Sequence, residues 1–330
     1  MTEPVIGPGP RVLLVDHFDD GRHHHGGLRQ RALERLGCAV TTLNLARTGW
    51  LDRLSRRDLA ARLERACRQI APELVIVVGD DPVSAEELRV LRGGSHSRWV
   101  HWYPRPVDPT ALAGAYDLLL LPTEALGREA RHRLGCWSLV LPPACDPSFH
   151  RPLRVRDPFR SNLVFAGTAT PYRESVLQEL VEFGLVLWGP GWKKTGLRDY
   201  CLGEALSAEN YVRANAGATV ALNLGREAPE TTDRDSVLPR LYEIAAIGTA
   251  QIADRAAEAG AGLDPESEVL VGKKPAAVKT AVRRLLAEAA LREELSSAAR
   301  RTVLRRHTYM HRMAELLKAV TKGGGLRTED

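Results

Sequence analysis

No stretch of this 330-residue chain approaches the roughly 20 consecutive apolar residues that a bilayer-spanning helix needs, so no membrane span is expected. The opening residues, MTEPVIGPGP, lack the basic start and apolar core of a secretion signal, and a cytoplasmic location is the expectation. Cysteine is sparse. The five present, Cys38, Cys67, Cys136, Cys145 and Cys201, are odd in number and form no Cys-x-x-Cys, which argues against a disulfide framework or a zinc knuckle and for reduced, packed thiols. Zinc-finger, RNA-recognition and basic-zipper signatures are also missing, although the net charge is +5 and the pI near 9.0. The arginines that supply this charge are spread along helical patterns, as in Arg53, Arg56, Arg57, Arg62, Arg65 and Arg68, and read as solvated faces. No nucleic-acid partner is expected, and the basic group Arg300, Arg301, Arg305, Arg306, His307 and Arg312 keeps a nucleic-acid or membrane-surface role only as a lesser alternative. An anionic ligand suits the balance better.

With 44% hydrophobic and 26% charged residues the composition is that of an ordinary globular protein, and the length suggests about two domains. Short aliphatic runs alternate with amphipathic helical patterns through the first half: strands over 11–16, 39–43, 74–78, 99–103, 118–121 and 139–141, helices over 28–36, 59–70 and 85–91. Most of the runs are aliphatic on both faces, as a parallel sheet covered by helices requires. A doubly wound α/β domain over 1–153 is expected. The prolines of Leu141-Pro-Pro-Ala-Cys-Asp-Pro-Ser-Phe-His-Arg-Pro152 cannot continue a helix or a central strand and mark the linker. A second alternation follows over 154–308, with strands at 162–166 and 185–188, a helix over 174–183 and helical patterns over 276–287 and 291–305; a last helix begins at about 309.

Residues 219–254 organise the second half. A β-branched and aliphatic run gives way to a polar loop and then to Arg240-Leu-Tyr-Glu-Ile-Ala-Ala-Ile247, with Ser236 suited to cap a helix, Pro239 to its first turn and Gly248 to its end. Arg240 and Glu243 then share one face near a helix N-terminus, where free backbone N–H groups favour an anion. A solvated i,i+3 ion pair is the bland alternative for the same spacing. Upstream, Gly167-Thr168 and the loop Gly189-Pro190-Gly191-Trp192-Lys193 each follow a strand, where backbone approaches phosphate closely, with Arg173 at the next helix start. Trp188 and Trp192 offer stacking surfaces for a base, or are simply core.

The string Asn223-Leu224, Thr232, Arg240-Leu241-Tyr242-Glu243, Ala245-Ala246, Gly248, Gln251 and Asp254 resembles the donor segment of GT-B glycosyltransferases, most closely the CgeB-like family of spore maturation proteins. Tyr242 stands where that family usually has Phe. Asp146, Pro147 and His150 are similar to its proline-rich hinge, and His307-Thr308-Tyr309 to a turn near its end. The resemblance implies two Rossmann-like parallel-sheet domains facing a central cleft. It places the acceptor on 1–153 and the nucleotide-sugar donor on 154–308, with a helix over 309–330 crossing back onto the first domain. It further implies a hexosyltransferase-type enzyme. The donor-binding set becomes Gly167, Thr168, Arg173, Trp188, Gly189, Gly191, Trp192, Lys193, Asn223, Arg240, Tyr242 and Glu243, with Arg240 also serving catalysis and Glu243 accepting from ribose hydroxyls.

No cofactor is expected beyond the nucleotide-sugar co-substrate. Asp233-Arg-Asp235 is formally an Asp-x-Asp and reads as a loop and cap cluster, while the adjacent His23, His24 and His25 lack ligand spacing, so no metal is expected. Arg240, Arg173, Lys193 and glycine-loop amides supply charge for the leaving diphosphate. For an inverting transfer the base candidates are Asp16, His17, Asp19, Asp80 and His101; for a retaining one the leaving phosphate can take the proton. The acceptor, whether small molecule, glycan or protein, stays open. A GT-B-fold nucleotide-sugar epimerase or hydrolase, or a non-catalytic sugar-nucleotide-binding protein of spore or envelope assembly, are the alternatives.

Overall fold

The structure, a computed structural model, describes residues 9–18, 25–45, 56–79, 83–94, 96–103, 114–227, 239–254 and 262–322. It divides into two compact units, one of residues 1–142 with 309–330, the other of residues 143–308. The candidates Asp19, Asp80, His23, His24, Thr232, Asp233, Asp235 and Ser236 lie outside the described residues.

The first unit runs β1 (Arg11–Asp16), α1 (His25–Arg35), β2 (Ala39–Asn44), α2 (Arg56–Ile70), β3 (Leu74–Val78), α3 (Ala85–Gly93), β4 (Arg98–Trp102), β5 (Leu118–Leu121), α4 (Glu124–Leu134) and β6 (Ser138–Val140). Its six strands are all parallel, in the order β2-β1-β3-β4-β5-β6. The runs VLLV, LVIVV and LLLL are buried because helices cover both faces of the sheet. Leu13, Val15, Val75, Val77, Trp99 and Leu119 meet Leu63, Leu88, Leu126 and Ala130 of α2, α3 and α4 on one side. Ser84 and Glu87 close a reciprocal capping box on α3, and Thr123 caps α4, which ends at Gly135 with φ +60°.

In the second unit follow β7 (Ser161–Ala166), α5 (Pro171–Gln178), β8 (Leu185–Trp188), β9 (Cys201–Gly203), α6 (Ala208–Ala216), β10 (Ala218–Asn223), α7 (Pro239–Ile247), β11 (Ala250–Ala253), β12 (Leu270–Val271), α8 (Pro275–Ala287) and α9 (Ala289–Arg306). This sheet is also six-stranded and parallel, ordered β12-β11-β10-β7-β8-β9. Chain direction across it reverses between β7 and β10, the switch point at whose carboxyl side such sheets bind ligands. Leu163, Phe165, Leu187, Val220, Leu222 and Ile252 pack on α5 and α8. Val164, Ala166, Trp188 and Ala221 pack on Ala214 of α6 and Ile244 of α7 on the opposite face.

α7 is apolar nearly all round, and its residues from Leu241 to Ile247 are all buried. It ends at Gly248, whose φ of +86° suits a residue without Cβ. After α9 the chain forms α10 (Tyr309–Lys322), which belongs to the first unit, packs along α1 and is tied by Arg312 Nε donating to the Pro142 carbonyl.

Candidate functional site

The carboxyl ends of β7 and β10 bring Gly167, Asn223 and Arg240 together. Asn223 is the last residue of β10 and 1% exposed, yet neither the nitrogen nor the oxygen of its side-chain amide has a hydrogen-bond partner, and the same holds for Arg240 Nη1. Such groups cost about 1–3 kcal/mol each when left unmade inside a protein, so two of them at a switch point mark a place where something polar belongs. The Arg240 guanidinium lies over the Phe165 ring, 5.3 Å from its centroid, and against Gly167: a Cβ added there would sit 3.0 Å from Nη2. Glycine at 167 therefore makes room for a cation. Gly189 has φ +124°, and a Cβ on it would come within 2.5 Å of the Gly167 carbonyl oxygen, so the two glycine loops abut each other.

That contact consumes the loop amides expected to face phosphate. Gly167 N–H donates to the Trp188 carbonyl, Gly189 N–H to Gly203, Ala169 N–H to Pro190 and Gly191 N–H to the Glu204 carboxylate. Arg173 is buried and donates from Nε, Nη1 and Nη2 to the carbonyls of Gly225, Thr168 and Leu224, staples between the loops after β7 and β10. The tryptophans are core. Trp192 is fully buried, donating from its indole to the Gly167 carbonyl at 2.8 Å, and Trp188 stacks on Phe159 with centroids 5.1 Å apart. Tyr242 is fully buried between Gly262 and the His307 ring. Lys193 is exposed, 3.9 Å from Glu204.

Glu243 is not a solvated partner of Arg240. It is buried among the Tyr211 hydroxyl of α6, Arg240 of its own helix and His150, whose Nε2 is 3.8 Å from Oε1. Burial pushes its carboxyl up to about 7, against the nearby Tyr211 hydroxyl and the Arg240 charge, which pull it down. The same burial and the nearby carboxylate hold the Tyr211 phenol well above its ordinary value.

Residues 173–318 match the family described as glycosyl transferase-like. No curated protein matches. Among solved structures, sucrose-phosphate synthase from Thermosynechococcus elongatus is similar with a TM-score of 0.69 at 14% identity, over 96% of this chain and 100% of that one. Anabaena HepE in complex with UDP and glucose is similar with a TM-score of 0.67 at 10% identity, over 95% and 100%. A glycosyltransferase from Rickettsia africae gives 0.64 at 9% identity, over 96% and 100%. At these identities the likeness is one of fold, and the fold is GT-B: two α/β domains, each on a six-stranded parallel sheet.

Asn223, Arg240 and Glu243 fall inside the glycosyl transferase-like segment, and Gly167 lies just before it. Two of the base candidates, Asp16 and His101, have their side chains engaged within the first domain. Asp16 accepts from Arg29 at 2.7 Å in a buried ion pair, with the guanidinium 4.6 Å from the Trp102 ring centroid, and its other oxygen accepts from the His17 amide. A carboxylate clamped this way has both oxygens engaged. His101 is fully buried, donating from Nε2 to the Gly79 carbonyl and stacked on Tyr103. His17 is the exposed one, at the end of β1, with a Cβ on Gly79 only 3.9 Å from its ring. Among the described residues no group of three or more His, Cys, Asp and Glu side chains is arranged to hold a metal, and no helix is long and apolar enough to cross a membrane. Sequence reasoning missed Tyr211 and Phe165 altogether. A polar helix pattern hid the first, and the second differs in nothing from its neighbours in an apolar strand.

Proposed function

We propose that this protein is a cytoplasmic, metal-independent glycosyltransferase of the CgeB-like kind, moving a sugar from a nucleotide-diphosphate sugar bound on the second domain to an acceptor. One observation carries the reading: the unpartnered Asn223 amide and Arg240 Nη1 beside Gly167 at the switch point of the second sheet. A diphosphate supplies what both lack, acceptor oxygens for the guanidinium and for the amide N–H, and a hydroxyl satisfies the amide carbonyl. The complex of HepE with UDP and glucose, on the same fold, makes UDP the first donor nucleotide to try.

In the transfer, the acceptor oxygen bonds to the anomeric carbon as the carbon–oxygen bond to the diphosphate breaks, its electron pair leaving with the phosphate. Arg240 meets the charge that develops there, worth more in a site closed to water than in bulk. Glu243 accepts from a donor hydroxyl, and the acceptor proton goes to a general base if transfer inverts or to the leaving phosphate if it retains. Isothermal titration with UDP tests the site. Arg240→Ala and Asn223→Ala should each weaken binding about 10- to 150-fold, the equivalent of about 1.5–3 kcal/mol for a hydrogen bond to a charged group. Mass analysis of a UDP-sugar incubated with and without candidate acceptors separates transfer from conversion of the free donor. Parent-like affinity in both variants would remove the site from the second sheet.

A further inference from the structure

The turn 146–150 holds one imidazole in a single orientation. His150 N–H donates to the Asp146 carbonyl at 2.7 Å, and the Asp146 N–H donates back to His150 Nδ1 at 3.0 Å. The Asp146 side chain stiffens the same turn by accepting from the Ser148 amide and hydroxyl. Both Asp146 and His150 are 3% exposed. A nitrogen that accepts from an amide carries no proton, so the neutral ring must carry its proton on Nε2, and Nε2 faces Glu243 Oε1 at 3.8 Å. Tyr211 from α6, Arg240 from α7 itself and His150 from the segment before β7 are among the groups that face that carboxyl. Nothing in the transfer described above uses the histidine.

We propose that His150 is a positioning residue of the donor site: its amide-oriented Nε2–H holds the Glu243 carboxylate ionised and aimed, so that it accepts from a hydroxyl of the nucleotide sugar. The inference rests on the donor reading of the second domain. A neutral N–H donor adds to the Arg240 charge in keeping a buried carboxylate ionised. At 3.8 Å the contact is looser than a hydrogen bond, and it closes when the carboxylate turns to its ligand.

Two substitutions separate the ring's two nitrogens. Asn at 150 keeps an acceptor for the Asp146 amide and loses the donor toward Glu243; Gln reaches with its amide N–H toward Glu243 and loses the acceptor. UDP affinity of the full chain, measured by calorimetry from about pH 5.5 to about pH 9, should rise with pH in the parent as Glu243 ionises. In His150→Asn the midpoint should move up by about one pH unit, a loss of about fivefold in affinity near pH 7 that recovers at the alkaline end. His150→Gln should keep the parent midpoint. Superimposable profiles for His150→Asn and parent would overturn the inference while leaving the donor reading in place, and equal shifts in both variants would reduce His150 to a structural part and overturn it too. A parent that binds no UDP at any pH would take the donor reading and the inference down together. Nitrogen-15 spectra of the parent's histidines give a check that needs no variant: Nδ1 of His150 must be the unprotonated nitrogen at neutral pH, and the opposite tautomer would refute the proposal.

Discussion

Replacing Glu243 by Gln should make this protein more stable and a worse binder, and the first effect should depend on pH in a direction fixed by the structure. The carboxyl is buried and pushed from its ordinary 4.5 up to about 7, chiefly by loss of water. A raised carboxyl pKa means that the native state holds a proton the unfolded chain has already released. Its contribution to stability is present in full below about pH 4.5 and lost as pH rises through 7. At 1.36 kcal/mol per unit the loss comes to about 3 kcal/mol by pH 8. Glutamine copies the protonated carboxyl in size, keeps an oxygen for the Tyr211 hydroxyl and never ionises. Parent and Glu243→Gln should therefore melt together near about pH 5 and separate with rising pH, the variant ending roughly 6–12 °C higher at about 2–4 °C per kcal/mol. Scanning calorimetry of both proteins at several pH values reads this directly, the difference between them cancelling every other titration. A gap that is constant from acid to alkaline pH, or one that closes as pH rises, would refute the reasoning. UDP affinity should move the other way, falling in the variant above about pH 7, the trade between stability and function expected where a site keeps a charge in a buried place.

Gly189→Ala should lower stability by at least about 1–3 kcal/mol, because φ of +124° is strained for alanine and the added Cβ would meet the Gly167 carbonyl oxygen at 2.5 Å; an unchanged urea midpoint would show that the two glycine loops are not locked together. Turnover of a UDP-sugar, once an acceptor is found, should persist in excess chelator, since Arg240 brings the needed charge; abolition by chelator with rescue by manganese or magnesium would put Asp233 and Asp235 in its place.

Much of this architecture was readable from residue order, and the failures have physical causes. Strands such as 11–16, 74–78, 118–121 and 185–188 were legible because a run of aliphatic residues bounded by polar ones has few other ways to be buried. β9 and β12, of three and two residues, are too short to show a period, and α6 buries only Val212, Ala214 and Asn215 of a polar stretch. At the candidate site, Gly167 was named for its position after a strand, Arg240 and Glu243 for their place on one face at a helix N-terminus, and Asn223 only through the resemblance. Trp188, Trp192, Tyr242 and Arg173 stand at equally suggestive positions, but which way a side chain turns depends on what packs behind it, and local spacing carries no record of that. The burial of Glu243 did leave a trace, since LYEIAAI is apolar on every face of a helix. Its companions His150 and Tyr211 come from elements far apart in the chain, and only the fold joins them.

The first unit is assembled from both ends of the chain, with the second set between them as one continuous stretch. Arg29, whose guanidinium clamps Asp16 at the end of β1, lies 5.6 Å from the centroid of the Tyr309 ring, and the Tyr309 hydroxyl meets His25 Nδ1 at 3.0 Å. A ribosome making this protein delivers α1 before the second unit and its partner helix after it. Every residue of the second unit has been synthesised before Tyr309 appears, so that unit is free to fold while the first still waits with the face of α1 uncovered. Completion of the first unit thereby follows synthesis of the second, and the buried ion pair at the end of β1 gains the Tyr309 ring beside it only when α10 arrives.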